Sequence, residues 1–229
     1  MKTSELICQS TQYEESGFIQ IKQLFSKDQC EEIKNISKRI CAENEHAPSG
    51  VHVFHVDQMP KDIQKYICGQ SIASILKTII GPEIEFLSFK PVFKSAKVHF
   101  GTPWHQDWAY WKGSHKISIW IALDEATIEN GCLRIIPGSH KNFREHARPG
   151  SNNGFDNRIM DGQILDEEIV DVPLNVGDAI FFHDCLMHSS YENTIGLDRW
   201  SLIPTYRDKS LNHLESTNME NFTMGTILL

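Results

Sequence analysis

The spacing of apolar residues changes character near residue 83. Before it, residues 17–25, GFIQIKQLF, alternate apolar and polar and predict a strand. Ser26 then offers an N-cap oxygen and Asp28 sits in the first turn. Ile33, Ile36, Ile40 and Cys41 recur at helical spacing, so a helix is expected over 27–43. The stretch HAPSGVHVFHVDQMP reads as loop with a strand at 51–56, and residues 71–80, SIASILKTII, as a short buried helix stopped by Gly81 and Pro82.

Beyond residue 83 come short β-rich runs broken by Gly, Pro, Asn and Asp: EIEFLSFKPVF, KISIWIALDEA, CLRIIPGSH, EIVDVPL, GDAIFFH and RWSLIPTYR. Many short strands separated by turns predict a sandwich or barrel. ENGC (129–132) and NVGD (175–178) read as hairpin turns. The interruption from about 141 to 164 is polar and rich in Gly and Asn, and a connection that long in a compact domain is functional or mobile. The expected organisation is one domain over 1–229, mainly β with N-terminal helices (α+β). Helical support lies mainly in 1–82 and a β core over about 83–207.

Composition narrows the function classes. A net charge of −8 and a pI near 5.7, with no basic run, argue against a nucleic-acid or anionic-membrane partner. MKTSELICQS lacks the apolar core of a signal peptide, and no window approaches the roughly 20 apolar residues of a membrane span. A soluble, cytoplasmic protein is therefore expected. Six cysteines at 8, 30, 41, 68, 132 and 185 form no CxxC pair and read as small hydrophobes.

The chemistry concentrates in TPWHQDWAYW, residues 102–111. On a strand, His105 and Asp107 point to the same face and can reach one ion. An imidazole and a carboxylate suit Fe(II), Mn(II) or Zn(II). The competing reading is a hydrogen-bonded polar pair on a core strand. A second imidazole would complete a two-His-one-carboxylate triad with three open positions, room for a chelating cosubstrate and O2 together. His188, in FFHDCLMHSSY, is the choice for it. Arg199 follows eleven residues later. If 180–188 and 198–206 form a hairpin, its guanidinium lies near His188 and can grip the far carboxylate of a dicarboxylate bidentately.

Taken as an ordered set, PWHQDWAYW (103–111), IWIALDEATIENGCLRIIPGSHK (119–141) and GDAIFFHDCLMHSSYENTIGLDRWSLIPTY (177–206) resemble the phytanoyl-CoA dioxygenase family of Fe(II)/2-oxoglutarate oxygenases. The resemblance runs from about Gly17 to Tyr206. It implies a double-stranded β-helix, a jelly-roll or cupin-like core. It implies Fe(II) on His105, Asp107 and His188, with 2-oxoglutarate held by Arg199. By position, Lys94, Trp120 and Ser190 match family residues near the cosubstrate; Lys90 competes with Lys94, because SAKVHFGT lacks the family's usual Gly-rich turn. The implied reaction hydroxylates a C–H bond of a small metabolite while O2 and 2-oxoglutarate become succinate and CO2. Desaturation, cyclisation or epimerisation uses the same triad. A cupin-like isomerase, hydrolase or binding protein is the alternative of another class. Asp107 favours hydroxylation, since related halogenases lack that carboxylate.

Further residues have weaker claims. Trp108 or Trp111 is expected to line the substrate side, because adjacent Tyr110 and Trp111 cannot both face the core. Ser88 lies seventeen before His105, where the resemblance places a polar substrate contact. Arg134 faces either the cavity or solvent, and Arg144 and Arg148 are solvated loop residues. His183 has a supporting or core role, while His52, His55, His115 and His140 are rim, loop or turn residues. The substrate and the oligomeric state are not legible.

Overall fold

The run KISIWIA becomes strand β5 (Lys116–Ala122), and all of it is buried because both faces of the strand are covered. In the computed structural model, which describes residues 3–44, 50–147, 157–164, 168–210 and 227–229, β5 lies inside the larger of two sheets. That sheet runs β1 (Phe18–Ile21), β8 (Ala179–His183), β5, β10 (Arg199–Asp208), β3 (Ile84–Lys94) and β11 (Ile227–Leu228), with β2 (Phe54–His55) also on β3. The smaller sheet runs β4 (Thr102–His105), β9 (His188–Ser190), β6 (Leu133–Ile135) and β7 (Val170–Val172). Every pairing between these strands is antiparallel.

Alternation along β5 and β8 separates two apolar layers. Ile117, Ile119, Ile121, Ala179 and Phe181 face a helical layer, while Trp120, Ala122, Ile180 and Phe182 face the smaller sheet. The helical layer is built from α1 (Thr3–Ser16), α2 (Lys27–Glu43), α3 (Lys61–Ile67) and α4 (Gln70–Ile79). Helix α2 starts where expected. The Ser26 hydroxyl accepts from Gln29 N–H at 3.2 Å and the Gln29 amide oxygen accepts from Ser26 N–H at 2.9 Å, a capping box. Its Cys30, Ile33, Ile36, Ser37 and Ile40 are buried. Among the described residues no helix is long and apolar enough to cross a membrane.

The chain crosses repeatedly between the facing sheets, and this makes the jelly-roll core. It also corrects three expectations. ENGC and NVGD are not hairpin turns: β5 and β6 lie in different sheets, as do β7 and β8, so both turns are corners between sheets. Residues 180–188 and 198–206 do not form a hairpin: 180–183 lie in β8, which pairs with β1 and β5, His188 opens β9, which pairs with β4 and β6, and β10 pairs with β3 and β5. The strand expected over 17–25 ends at Ile21, where a turn begins. Helices α1 and α3 and the four-residue α5 (Trp108–Trp111) were not expected. Within the long interruption, Ile159 N–H donates to Trp104 O at 2.8 Å and Ala147 bridges to Arg158, which ties the described flanks to β4. Arg148 lies outside the described residues.

Tyr206 joins the sheet to the helices, its hydroxyl donating to Ile67 O at 2.6 Å in a fully buried position. Tyr206→Phe keeps the ring and strands that carbonyl. We expect a loss of about 1–3 kcal/mol, read from the urea midpoint at unchanged slope.

Candidate active site

Register brings the first two candidate ligands together: on the β4–β9 ladder His105 is paired with His188. Their rings lie 4.1 Å apart, centroid to centroid. His105 Nδ1 faces Pro103 O at 2.8 Å and His188 Nδ1 faces Leu186 O at 2.9 Å. A nitrogen facing a carbonyl carries the proton, so in the neutral rings the lone pairs are on Nε2. Those lone pairs meet the Asp107 carboxylate, with His105 Nε2 at 3.5 Å and His188 Nε2 at 3.8 Å from Oδ1.

Asp107 reaches this point in an unexpected way. β4 ends at His105, and Asp107 has helical dihedrals at the head of α5. The convergence therefore comes from a strand-to-helix turn rather than from the i, i+2 geometry of a strand. The Ser118 hydroxyl, from β5, donates to Asp107 Oδ2 at 3.2 Å and turns Oδ1 toward the imidazoles. Burial pushes the Asp107 carboxyl up, but the Lys90 charge, His105 and His188 outweigh it and hold the group well below the usual carboxylate range. Burial, and then the charge of His105, push His188 down to about 4. His188 thus offers an unprotonated nitrogen and Asp107 an ionised oxygen, and with His105 Nε2 these donors are all buried and within 4.8 Å of one another. That set fits a divalent first-row metal, and the paired Nδ1–H groups fix the rings as ligands need.

The same cavity ends in two buried cations. Arg199 opens β10 directly opposite Lys94 on β3, and both are about 1% exposed. Lys94 Nζ donates to Ser190 Oγ at 2.9 Å, to Gly131 O at 3.5 Å, and to Tyr191 O. Arg199 donates from Nη2 to Gly131 O and from Nη1 to Ser201 Oγ, each at 3.0 Å, and lies 5.1 Å over the Trp120 ring. Among the described residues no carboxylate pairs with either cation, and Arg199 Nε has no hydrogen-bond partner. Burial, then the Arg199 charge, push Lys94 down to about 7, while burial pushes Arg199 down to about 10. Buried unpaired charge is costly, so this end of the cavity is built for an anion.

Gly131 makes the double contact feasible. At φ +95° it carries no Cβ, and one would come within 2.8 Å of Lys94 Nζ and 2.7 Å of Tyr191 O. Sequence reading took it for a turn residue only. It also missed Ser118 and the apolar walls Phe182, Leu133 and Ile203, which line the cavity with Val51, Val92, Phe100 and Thr102. Each is an inward position of a two-sided strand or a nearby loop, so only the strand pairing could have singled it out. The enclosed volume is about 100 Å³, below the roughly 300–1,000 Å³ usual for ligand pockets.

The structure sorts the remaining candidates. Trp120, Ser190 and Lys94 line the cavity, and so does Lys90, whose ammonium sits 5.5 Å over the Trp111 ring. Trp108 and Trp111 do not line it. Their indole N–H groups are turned away, to Gly113 O at 3.1 Å and to Asp184 Oδ2 at 2.9 Å, because α5 carries them off the strand. Tyr110 presents its ring edge-on to His105 at 6.0 Å. Arg134 is on the outer face of the smaller sheet, bonded to Ser189 Oγ at 3.1 Å and stacked on Trp104 and Tyr191. Ser88 is buried on β3 beyond the cavity lining. His183 turns away from the triad toward His115 and Asp184.

Comparison with known proteins agrees with this geometry. The family model "Phytanoyl-CoA dioxygenase (PhyH)" matches residues 13–199. Peroxisomal phytanoyl-CoA dioxygenase of Bos taurus is 28% identical over 239 residues, covering 91% of this chain and 71% of that one. L-proline trans-4-hydroxylase of Streptomyces griseoviridis is 30% identical over 158 residues, 59% of each chain. Among solved structures, the epimerase SnoN in complex with Fe3+, alpha ketoglutarate and nogalamycin RO superposes with a TM-score of 0.75 at 19% identity, over 90% of this chain and 85% of that one. At that identity the likeness is one of fold.

Lys94 makes stability depend on pH. Its folded value of about 7 lies below the ordinary 10.5, so between those values the unfolded chain binds more protons and stability rises with pH. From pH 7 to 8.5 the wild type should gain about 1–2 kcal/mol relative to Lys94→Met, by urea unfolding.

Proposed function

Because the chain belongs to the phytanoyl-CoA dioxygenase family, we propose that it is an Fe(II)- and 2-oxoglutarate-dependent dioxygenase that hydroxylates a C–H bond of a small metabolite. The supporting observation is one cavity with a two-His-one-carboxylate donor set at one end and, at the other, two cations that no carboxylate among the described residues pairs with. On this reading the chain acts as one domain, helices behind and jelly roll in front.

His105, Asp107 and His188 hold the iron. Bound there, iron supplies the oxidising chemistry, in which O2 and 2-oxoglutarate become succinate and CO2 and one oxygen atom enters the substrate. Arg199 binds the far carboxylate of 2-oxoglutarate through its guanidinium fork, using the Nε–H that has no partner among the described residues. Lys94, held by Ser190 and the Gly131 carbonyl, adds a second charge beside it. Trp120 packs under the guanidinium, and Phe182 and Leu133 exclude water. The enclosed volume is on the scale of the cosubstrate alone. The substrate therefore meets the metal from the mouth of the cavity.

Hydroxylation is distinguished from desaturation, cyclisation and epimerisation by its product, which gains one oxygen atom. An isomerase or hydrolase reading gives no role to the Arg199–Lys94 end.

Two measurements test the proposal. Anaerobic protein with Fe(II) and 2-oxoglutarate should develop the visible charge-transfer band of a chelated keto acid, and His188→Ala should lack it. Absence of the band in the wild type, together with no succinate formed under O2, sinks the proposal. Arg199→Gln should raise the 2-oxoglutarate concentration for half-maximal band intensity by roughly 30- to 1,000-fold, the cost of truncating one side of a buried charged pair.

A further inference from the structure

A second group of ligand-type side chains lies outside the cavity. His115, from the loop between α5 and β5, meets His183, the last residue of β8, and Asp184 and Cys185, from the turn that follows it. One donor atom of each lies within 4.8 Å of all the others. Asp184 Oδ1 is 3.1 Å from His115 Nδ1 and 3.2 Å from His183 Nδ1, and Cys185 Sγ is 3.9 Å from His115 Nδ1. Around a tetrahedral ion with bonds of about 2.0–2.3 Å, neighbouring donors stand about 3.3–3.8 Å apart. The spacing already present is close to that.

The arrangement also carries an electrostatic conflict that a cation resolves. Asp184 is fully buried, and its Oδ2 is fixed by the Trp111 indole N–H at 2.9 Å and by Lys116 N–H at 3.0 Å. Oδ1 is thereby aimed at the histidines. His183 Nδ1 accepts from Cys185 N–H at 3.0 Å, so it is the lone-pair nitrogen. It faces Oδ1 at 3.2 Å, one acceptor against another. Neither atom can donate to the other, and a cation between them turns the repulsion into two bonds. The His115 side chain is 56% exposed and leaves a way in from solvent.

We propose that His115, His183, Asp184 and Cys185 form a structural binding site for one divalent cation of the zinc class. Two neutral imidazoles, one carboxylate and one thiolate balance a dication's charge, and four protein donors leave no open position for catalysis. Binding forms the metal–sulfur bond and sends the Cys185 thiol proton to solvent, and the neutral His115 ring carries its proton on Nε2 so that Nδ1 can bind. The ion replaces the Cys185 N–H contact at His183 Nδ1. Its effect is mechanical. The Gln106 side-chain amide donates to Cys185 O at 2.6 Å, and Trp108 N–H donates to Asp184 O at 3.0 Å. The clip thus braces both flanks of Asp107 without touching the cavity.

Cobalt(II) alone, added anaerobically to the full chain, separates the two sites, because only this one contains sulfur. The expected result is a near-ultraviolet thiolate-to-cobalt charge-transfer band saturating at one thiolate-bound equivalent and bleached by one equivalent of zinc. Cys185→Ser should abolish the band, and His115→Ala, at a half-exposed side chain, should weaken cobalt affinity at least tenfold with unchanged far-ultraviolet circular dichroism. His188→Ala should leave the band intact. No thiolate band in the wild type, a band surviving Cys185→Ser, or one lost in His188→Ala overturns the proposal. None of these readouts depends on oxygenase activity.

Discussion

The structure is organised around positive charge buried inside an apolar sandwich. Lys94 and Arg199 face each other across the β3–β10 ladder with almost no solvent and, among the described residues, no carboxylate paired to either. Two like charges so placed repel and are desolvated, a combination that core burial alone cannot sustain. The fold answers with dipoles. The Gly131 and Tyr191 carbonyls, the Ser190 and Ser201 hydroxyls and the Trp120 face all point at the pair. Supplying them requires a corner between sheets at Gly131, a β9 strand ending at Ser190, and an inward indole on β5. Much of the topology is thus tied to the stabilisation of one charged end of a cavity.

The metal-ligand end is stabilised by the opposite means. There each imidazole is fixed by a carbonyl two residues earlier in its own chain, Pro103 for His105 and Leu186 for His188. The carboxylate is steered by Ser118 from the facing sheet. Local backbone sets the rings, and tertiary packing sets the acid. A donor set assembled this way is preorganised before any ion arrives.

Much of this was legible in the sequence, for identifiable reasons. Two-sided strands announce themselves by unbroken apolar runs, so the β core and its helical backing could be read from patterning. Helix α2 declared itself through Ser26 and its isoleucines. His105, Asp107, His188 and Arg199 stood out as an ordered set. Their convergence did not, because it depends on which strands pair: 180–188 spans β8 and the start of β9, and neither strand pairs with β10. The turn WAYW is too short to carry a helical period, so its aromatics read as pocket walls, whereas α5 leaves the two tryptophans outside the cavity lining. Lys90 and Lys94 share a face of β3, and spacing alone could not separate them. Register sets Lys94 opposite Arg199 and Lys90 opposite Ile203. Gly131 was visible as a letter in a turn, but its reason is a close approach by side chains distant in the chain.

The division of the cavity between sheets has a consequence of its own. His105 and His188 stand on the smaller sheet, whereas Lys94 and Arg199 stand on the larger. Packing of Leu133, Phe182 and their neighbours keeps those sheets at a fixed separation. On the proposed reading, a keto acid must touch the metal with one end and Arg199 with the other. The sandwich then works as a caliper, and the length of dicarboxylate it accepts follows from the spacing of its two jaws. Cosubstrate selectivity would then be written in the thickness of the hydrophobic core, and a repacking substitution far from either charged group would retune it.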